Sequence, residues 1–291
     1  MNSELGDFLA ELERRETSPS TQRGYAADLR VFARWFEGST GEAFAAAAVT
    51  CSDVRDYKAH LLTVEKRRPA TVNRHLAALR AFARWAREAN LVDETPALEV
   101  KGVKAVRPAP RGLEKREADR LVRTVERGGS KRDLAIVQVL RHTGIRVGEL
   151  CSLCLGDVDA GERKGLLTVR QGKGAKFREV PLNADARRAL RDYLAVRPAA
   201  VDDRLFRGQR GGDLRPRGVQ TLLAKYARLA QLEDVTPHTL RHTFAKAVLD
   251  AGENLVNVAA LLGHEDLNTT AIYTKPTRAD LERAVAKIER E

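Results

Sequence analysis

Three cysteines in 291 residues, Cys51, Cys151 and Cys154, are too few for a disulfide framework. Cys151-x-x-Cys154 has no second pair to complete a metal site, and on its mixed apolar segment it reads as two buried structural thiols. No apolar run approaches the length of a membrane span, and the N-terminus lacks a charged segment followed by an apolar signal core. A cytoplasmic protein with no membrane partner is expected. Internal repeats are absent too. The run His238-Thr239-Leu240-Arg241-His242 sets two histidines four apart, yet a zinc-protease helix would need Glu where Thr239 stands, and Arg241 puts a fixed cation beside any metal. Neither a metal nor another cofactor is expected.

What the chain does have is positive charge. It carries 51 Lys and Arg against 40 Asp and Glu, a formal net charge of +11, which points to a polyanionic partner. The excess is uneven. Up to residue 110 there are 17 basic and 15 acidic residues, and beyond it 34 and 25. With 43% hydrophobic residues the chain can still build real cores, so it is expected to be globular and not a basic tail.

Punctuation divides the chain. Residues 99–112 carry two prolines, two glycines and several cations with little periodicity, and read as an extended linker between a domain over 1–98 and another over 113–291. Before the linker, residues 5–12, 21–36, 52–62 and 70–89 repeat apolar positions at three-and-four spacing, predicting a helical bundle. After it, helices are predicted over 115–125, 133–142, 185–196 and 217–231. Short strands over 166–170 and 177–182 flank the glycine-rich tip Gln171–Lys176, which predicts a β-hairpin. The fold class is therefore mainly α with a small β-sheet.

Basic helix starts suit phosphate. Thr21 and Arg23 open one helix; Arg67, Arg68, Asn73 and Arg74 surround the start of another; Arg215 and Arg217 precede a third. A solvated basic face would look the same. Thr236 and Pro237 supply an N-cap and a first-turn proline, so a helix starts near Pro237 with His238 and Arg241 three apart on one face, close to unpaired N–H groups that favour an anion. Arg146 lies just after Gly144 with Glu149 three residues on, a pair that holds a cation in place. Two arginines from separate segments match the needs of a phosphate, because a guanidinium presents paired donors and stays charged at any working pH. At the hairpin tip Lys173 stands between two glycines, while Lys176 and Arg178 could do equivalent electrostatic duty.

These segments together resemble the tyrosine recombinase family, the phage integrases and Xer-like enzymes. Thr143-Gly-Ile-Arg-Val-Gly-Glu-Leu150 is similar to the family's first arginine motif, Gly172-Lys-Gly174 to its lysine hairpin, His238-Thr-Leu-Arg-His242 to its second arginine motif, and Leu261-Leu-Gly-His264 with Tyr273 to its closing boxes. The resemblance implies a two-domain C-shaped DNA clamp whose helical N-terminal domain binds the core site. It also implies transesterification, with Tyr273 attacking the scissile phosphorus to form a 3′-phosphotyrosyl link. Arg146 and Arg241 would neutralise the phosphorane, His238 would assist as acid or base, His264 would donate to the phosphate, and Lys173, favoured over Lys176, would protonate the departing 5′-oxygen. Glu149 would orient Arg146. The partner implied is double-stranded DNA carrying a specific site, bound by a homotetramer or a heterotetramer with a related recombinase. A final amphipathic helix with Leu281, Val285 and Ile288 on one stripe would dock on a neighbouring protomer. The chain begins close to the helical domain, which favours a simple Xer-like or small mobile-element enzyme without an extra arm-site domain. The biological role would be integration and excision or the resolution of chromosome and plasmid dimers through a four-way junction. The alternatives are a type IB topoisomerase and a catalytically silent DNA-binding accessory protein.

Overall fold

The computed structural model describes residues 3–93, 99–104, 112–170, 177–198, 203–209 and 211–263. The chain divides into two compact units, Met1–Arg107 and Pro108–Glu291.

The first unit is built from α1 (Ser3–Arg14), α2 (Pro19–Thr40), α3 (Cys51–Thr63) and α4 (Pro69–Glu88). Their ends follow from local chemistry. Ser18 accepts the Thr21 N–H and Pro19 fixes the first turn of α2, which closes at Gly41 with φ of 75°. Thr50 and Asp53 form a reciprocal capping box on α3. Phe8, Phe32, Phe36, Tyr57, Leu61, Leu76 and Phe82 fill the core between the helices. Aromatic edges meet faces there, with the Phe32 and Tyr57 rings 4.9 Å apart at 75°. One polar chain runs through it: the Tyr57 hydroxyl lies 2.9 Å from His75 Nδ1, and buried Asp28 takes Arg74 at 2.9 Å.

Residues 99–104, within the stretch read as a linker, are tied to α4. Val100 is buried in the first unit's core, and Arg80 donates to its carbonyl at 2.6 Å. The Asn73 amide acts like a strand partner: it accepts from the Val103 N–H at 2.7 Å and donates to the Val103 carbonyl at 2.9 Å. An apolar residue and a backbone-mimicking amide outweigh the local polarity that made this segment look unattached.

In the second unit α5 (Lys115–Arg127), α8 (Ala184–Leu194) and α10 (Pro237–Asp250) pack round α6 (Lys131–Thr143). That central helix buries Ala135, Ile136, Val137, Val139 and Leu140 completely. Its middle turns, residues 134–140, are apolar but for Gln138, as suits a stretch enclosed by neighbouring helices. The remaining helices are α7 (Val147–Ser152), α9 (Pro216–Leu229) and α11 (Leu255–Leu262). Strands β1 (Val158–Asp159), β2 (Leu166–Arg170) and β3 (Phe177–Pro181) form an antiparallel sheet in that order, with Leu166 opposite Pro181 and Arg170 opposite Phe177. The expected hairpin strands are thus paired; its tip, residues 171–176, lies outside the described residues. The third strand and helices α7 and α11 have no counterpart in the predicted elements, because segments of two, six and eight residues are too short to show a period.

Gly144 joins α6 to the segment carrying Arg146, in the left-handed conformation with φ of 62°. A β-carbon there would run into the Phe244 ring and would stand 2.8 Å from Leu262 Cδ2. Gly144→Ala is therefore expected to cost about 2 to 4 kcal/mol, combining backbone strain with overpacking, as read by urea denaturation. A loss under about 0.5 kcal/mol would show that the turn relaxes freely.

Candidate active site

Three short segments of the second unit converge on the C-terminal end of α11. The last carbonyls of a helix lack intrahelical donors and carry the negative end of its dipole, so cations collect there. Here three arginines take three consecutive carbonyls. Arg178 Nε donates to Leu261 O at 3.0 Å, Arg241 Nη2 to Leu262 O at 2.9 Å and Arg146 Nη2 to Gly263 O at 3.2 Å. The residue that follows is His264.

Arg241 is held most deeply. It is 4% exposed, and its Nη1 donates to Gly144 O at 2.7 Å. The guanidinium thus lies between the carboxyl ends of α6 and α11, where two dipoles offset the cost of burying its charge. The sequence reading placed it in the first turn of α10, near open backbone N–H groups. It is the fifth residue of that helix, just past the first turn, and the Thr239 N–H is taken by the Thr236 cap at 3.1 Å. Arginine side chains, more than the helix start, supply the anion-binding character of this region.

Arg146 is the exposed member, with 48% of its side chain accessible. It is the N-cap of α7: its own N–H donates to Glu149 Oε2 at 2.7 Å, and its Nη1 donates to Glu149 Oε1 at 2.9 Å. The expected Arg146–Glu149 pairing is present. What the sequence reading missed is Arg178, which donates to the same carboxylate through Nη1 at 3.0 Å and Nη2 at 2.8 Å. A signal existed. On β3, Arg178 shares the inward face with Val180, and a cation at an inward strand position calls for a buried partner. Burial pushes the Glu149 carboxyl up, but hydrogen bonds from Arg178 and from the Arg146 backbone and side chain outweigh it and hold the group below the usual carboxylate range.

His238 stands on the exposed side of α10, with its ring 4.1 Å from that of buried His242 at 72°. Partial burial and then the Arg241 charge lower its pKa, which favours the neutral imidazole. Lys173, His264 and Tyr273 lie outside the described residues, as does the expected final helix. Of the DNA-contact candidates, Arg23, Arg68, Arg215 and Arg217 are exposed, while Thr21 Oγ1 pairs with Ser18 and Arg67 with Glu65 at 2.7 Å. Arg74 is half exposed while bridging to Asp28. Asn73 makes two hydrogen bonds to the Val103 backbone, one from each end of its amide, and so holds residues 99–104.

Behind the site, His142 on α6 accepts at Nδ1 from Asn183 Nδ2 at 2.9 Å, the same Asn183 that caps α8. Burial and the neighbouring Arg141 lower its pKa to about 4. Its folded pKa lies below the unfolded value near 6.5, so the unfolded chain takes up the proton first and stability is lost as pH falls from about 6.5 to about 4. The loss expected from this group is roughly 3 kcal/mol, and His142→Asn should remove it from the pH profile of urea unfolding. Parallel profiles for the two proteins would refute it.

Among the described residues no cluster of His, Cys, Asp or Glu is placed to hold a metal ion, and no helix is long and apolar enough to cross a membrane. Residues 111–279 match the phage integrase family and residues 5–90 match the phage integrase N-terminal SAM-like domain. The chain is 35% identical to tyrosine recombinase XerC of Xanthomonas axonopodis pv. citri over 94% of its own length and 92% of the relative's. To XerC of Oceanobacillus iheyensis it is 36% identical, over 94% and 91%. Among solved structures, XerH bound to its difH substrate superposes with a TM-score of 0.74 at 22% identity, covering 95% of this chain and 84% of that one. The XerA recombinase superposes with a TM-score of 0.57 at 28% identity over 98% of both chains.

Proposed function

The chain belongs to the phage integrase family of tyrosine recombinases, it is a site-specific recombinase that cleaves and rejoins DNA, and we propose that the arginine-lined end of α11 is where it does so. The observation that carries this reading is the seating of Arg178, Arg241 and Arg146 on the carbonyls of Leu261, Leu262 and Gly263 in that order, directly before His264. A phosphodiester brought there meets preorganised cations whose positions are fixed before the reaction begins, so no reorganisation is needed as charge builds on the phosphorane.

Double-stranded DNA is the substrate. Tyr273 attacks the scissile phosphorus; the bond from phosphorus to the O5′ of the downstream sugar breaks as the 3′-phosphotyrosyl bond forms, and the ester energy is kept for rejoining. His238, whose lowered pKa favours the neutral imidazole, takes the phenolic proton, and Lys173 supplies one to the departing 5′-oxygen. Arg146 and Arg241 bind the non-bridging oxygens while His264 donates to one of them. Four protomers act on two duplexes through a four-way junction in the cytoplasm, linked by the amphipathic segment carrying Leu281, Val285 and Ile288. Truncation after Pro276 is then expected to spare DNA binding and to reduce recombination at least tenfold in a two-site plasmid assay; full recombination by the truncated chain would remove that segment from assembly.

The test of the reading uses a nicked suicide duplex drawn from sequences selected for binding, incubated with the protein in chelator and resolved on a denaturing gel. A covalent adduct whose peptide maps to Tyr273 is the expected product. Tight binding without any adduct would instead indicate an accessory DNA-binding protein, and relaxation of plasmids lacking matched sites would indicate a topoisomerase.

A further inference from the structure

Arg178 makes more contacts to the site than its place beside a hairpin would suggest. Its side chain is only 11% exposed, it grips both oxygens of Glu149, and its third nitrogen closes the end of α11. Gly263 is cut to fit it: a β-carbon there would stand 2.7 Å from Arg178 Nη1 and 2.9 Å from Cζ, and φ at Gly263 is 66°. One side chain thus ties β3, which follows the Lys173 tip, to the Arg146 segment and to the segment leading into His264.

The charge balance is the point. Glu149 has one carboxylate and two guanidinium partners. With Arg178 present, the Arg146, Arg178 and Glu149 group carries one net positive charge, and that charge is presented by Arg146, the exposed member. Without Arg178 the same carboxylate would be balanced by Arg146 alone. A phosphate would then approach a neutral pair and meet the repulsion of Glu149 at close range.

We propose that Arg178 is a positioning residue for phosphate activation: it neutralises and orients Glu149 so that the Arg146 guanidinium keeps its charge available to the scissile phosphate. This rests on the recombinase reading above. Arg178→Met keeps the aliphatic stem and removes the charge, and is expected to slow single-turnover adduct formation about 30-fold with DNA affinity changed less than threefold. Combining it with Glu149→Gln removes the unbalanced carboxylate and should restore at least tenfold of that loss. Arg178→Lys keeps the charge without the fork and should stay within about fivefold of wild type.

A purely structural Arg178 would show no such rescue. A double variant no faster than Arg178→Met, an Arg178→Lys loss as large as that of Arg178→Met, or a wild-type rate in Arg178→Met would each overturn the proposal. A second readout needs no chemistry: titration of inorganic phosphate against the Arg146 Nε–H signal in the full chain. Phosphate should bind at least tenfold more weakly to Arg178→Met and recover in the double variant, and equal binding by wild type and Arg178→Met would overturn the assignment. If wild type binds phosphate in this pattern but forms no adduct on DNA, the recombinase reading of the site fails while the role of Arg178 in charge balance stands.

Discussion

Arg241→Ala is expected to lower covalent adduct formation by about 10³-fold or more and to destabilise the second unit by roughly 2 to 4 kcal/mol. The two effects have separate origins. Catalysis suffers because a fixed guanidinium facing an accumulating negative charge is lost. Stability suffers because the carbonyls of Gly144 and Leu262, 2.7 and 2.9 Å from the guanidinium, lose a buried donor at the junction of two helix ends. Arg241→Lys separates them. A lysine restores a cation at the helix ends, so much of the stability should return. One ammonium cannot span both carbonyls as the planar fork does, so adduct formation should remain at least 10²-fold down. Single-turnover cleavage and urea denaturation on the three proteins are the measurements. Cleavage by Arg241→Ala within tenfold of wild type would remove Arg241 from the reacting centre.

The sequence made the helices legible because most are long and their ends are written in capping chemistry. Thr236 with Pro237 marks a start that the structure reproduces, and Ser18 with Pro19 and Thr50 with Asp53 turn out to carry the same chemistry at the starts of α2 and α3. The Arg146–Glu149 pair was legible from its three-residue spacing, although the short helix that brings the two side chains together was not. Arg178 was not. Its partners are 29 and 83 residues away, and nothing local distinguishes it from Lys176 as a surface cation until the register of β3 is known. Asn73 illustrates the converse. Its neighbours are basic and its helix start looks suited to phosphate, yet its partner lies 30 residues on, in a stretch whose composition resembles a free linker. Long-range polar pairing was the information missing in both cases. The resemblance to a family supplied the ordered motifs; it did not supply the way three arginines share one helix end.

Tyr273→Phe is expected to abolish the covalent adduct while leaving DNA affinity within about threefold of wild type, because only one hydroxyl is removed and its ring is kept. The chain has five tyrosines, and the other four are committed elsewhere. Tyr57 is fully buried against His75, and Tyr226 is buried with its hydroxyl donating to Asp133 at 3.0 Å, which with burial pushes its pKa up to about 12. Tyr193 is buried and donates to the Leu205 carbonyl at 3.1 Å. Tyr25 belongs to the first unit, where it stacks on Phe8. A buried phenol that is already hydrogen-bonded, and whose ionisation is disfavoured, is a poor nucleophile for an external phosphate. Three of the other four phenols are thus ill-suited to attack, and the motif carries the assignment of Tyr273. The measurement is the suicide-duplex gel run on wild type and Tyr273→Phe side by side, with DNA affinity read by electrophoretic mobility shift. An adduct that persists in Tyr273→Phe would place the nucleophile elsewhere, and peptide mapping would then find it. Loss of both adduct and binding would mean that the hydroxyl helps to hold the DNA-bound state, a role the proposed chemistry does not give it.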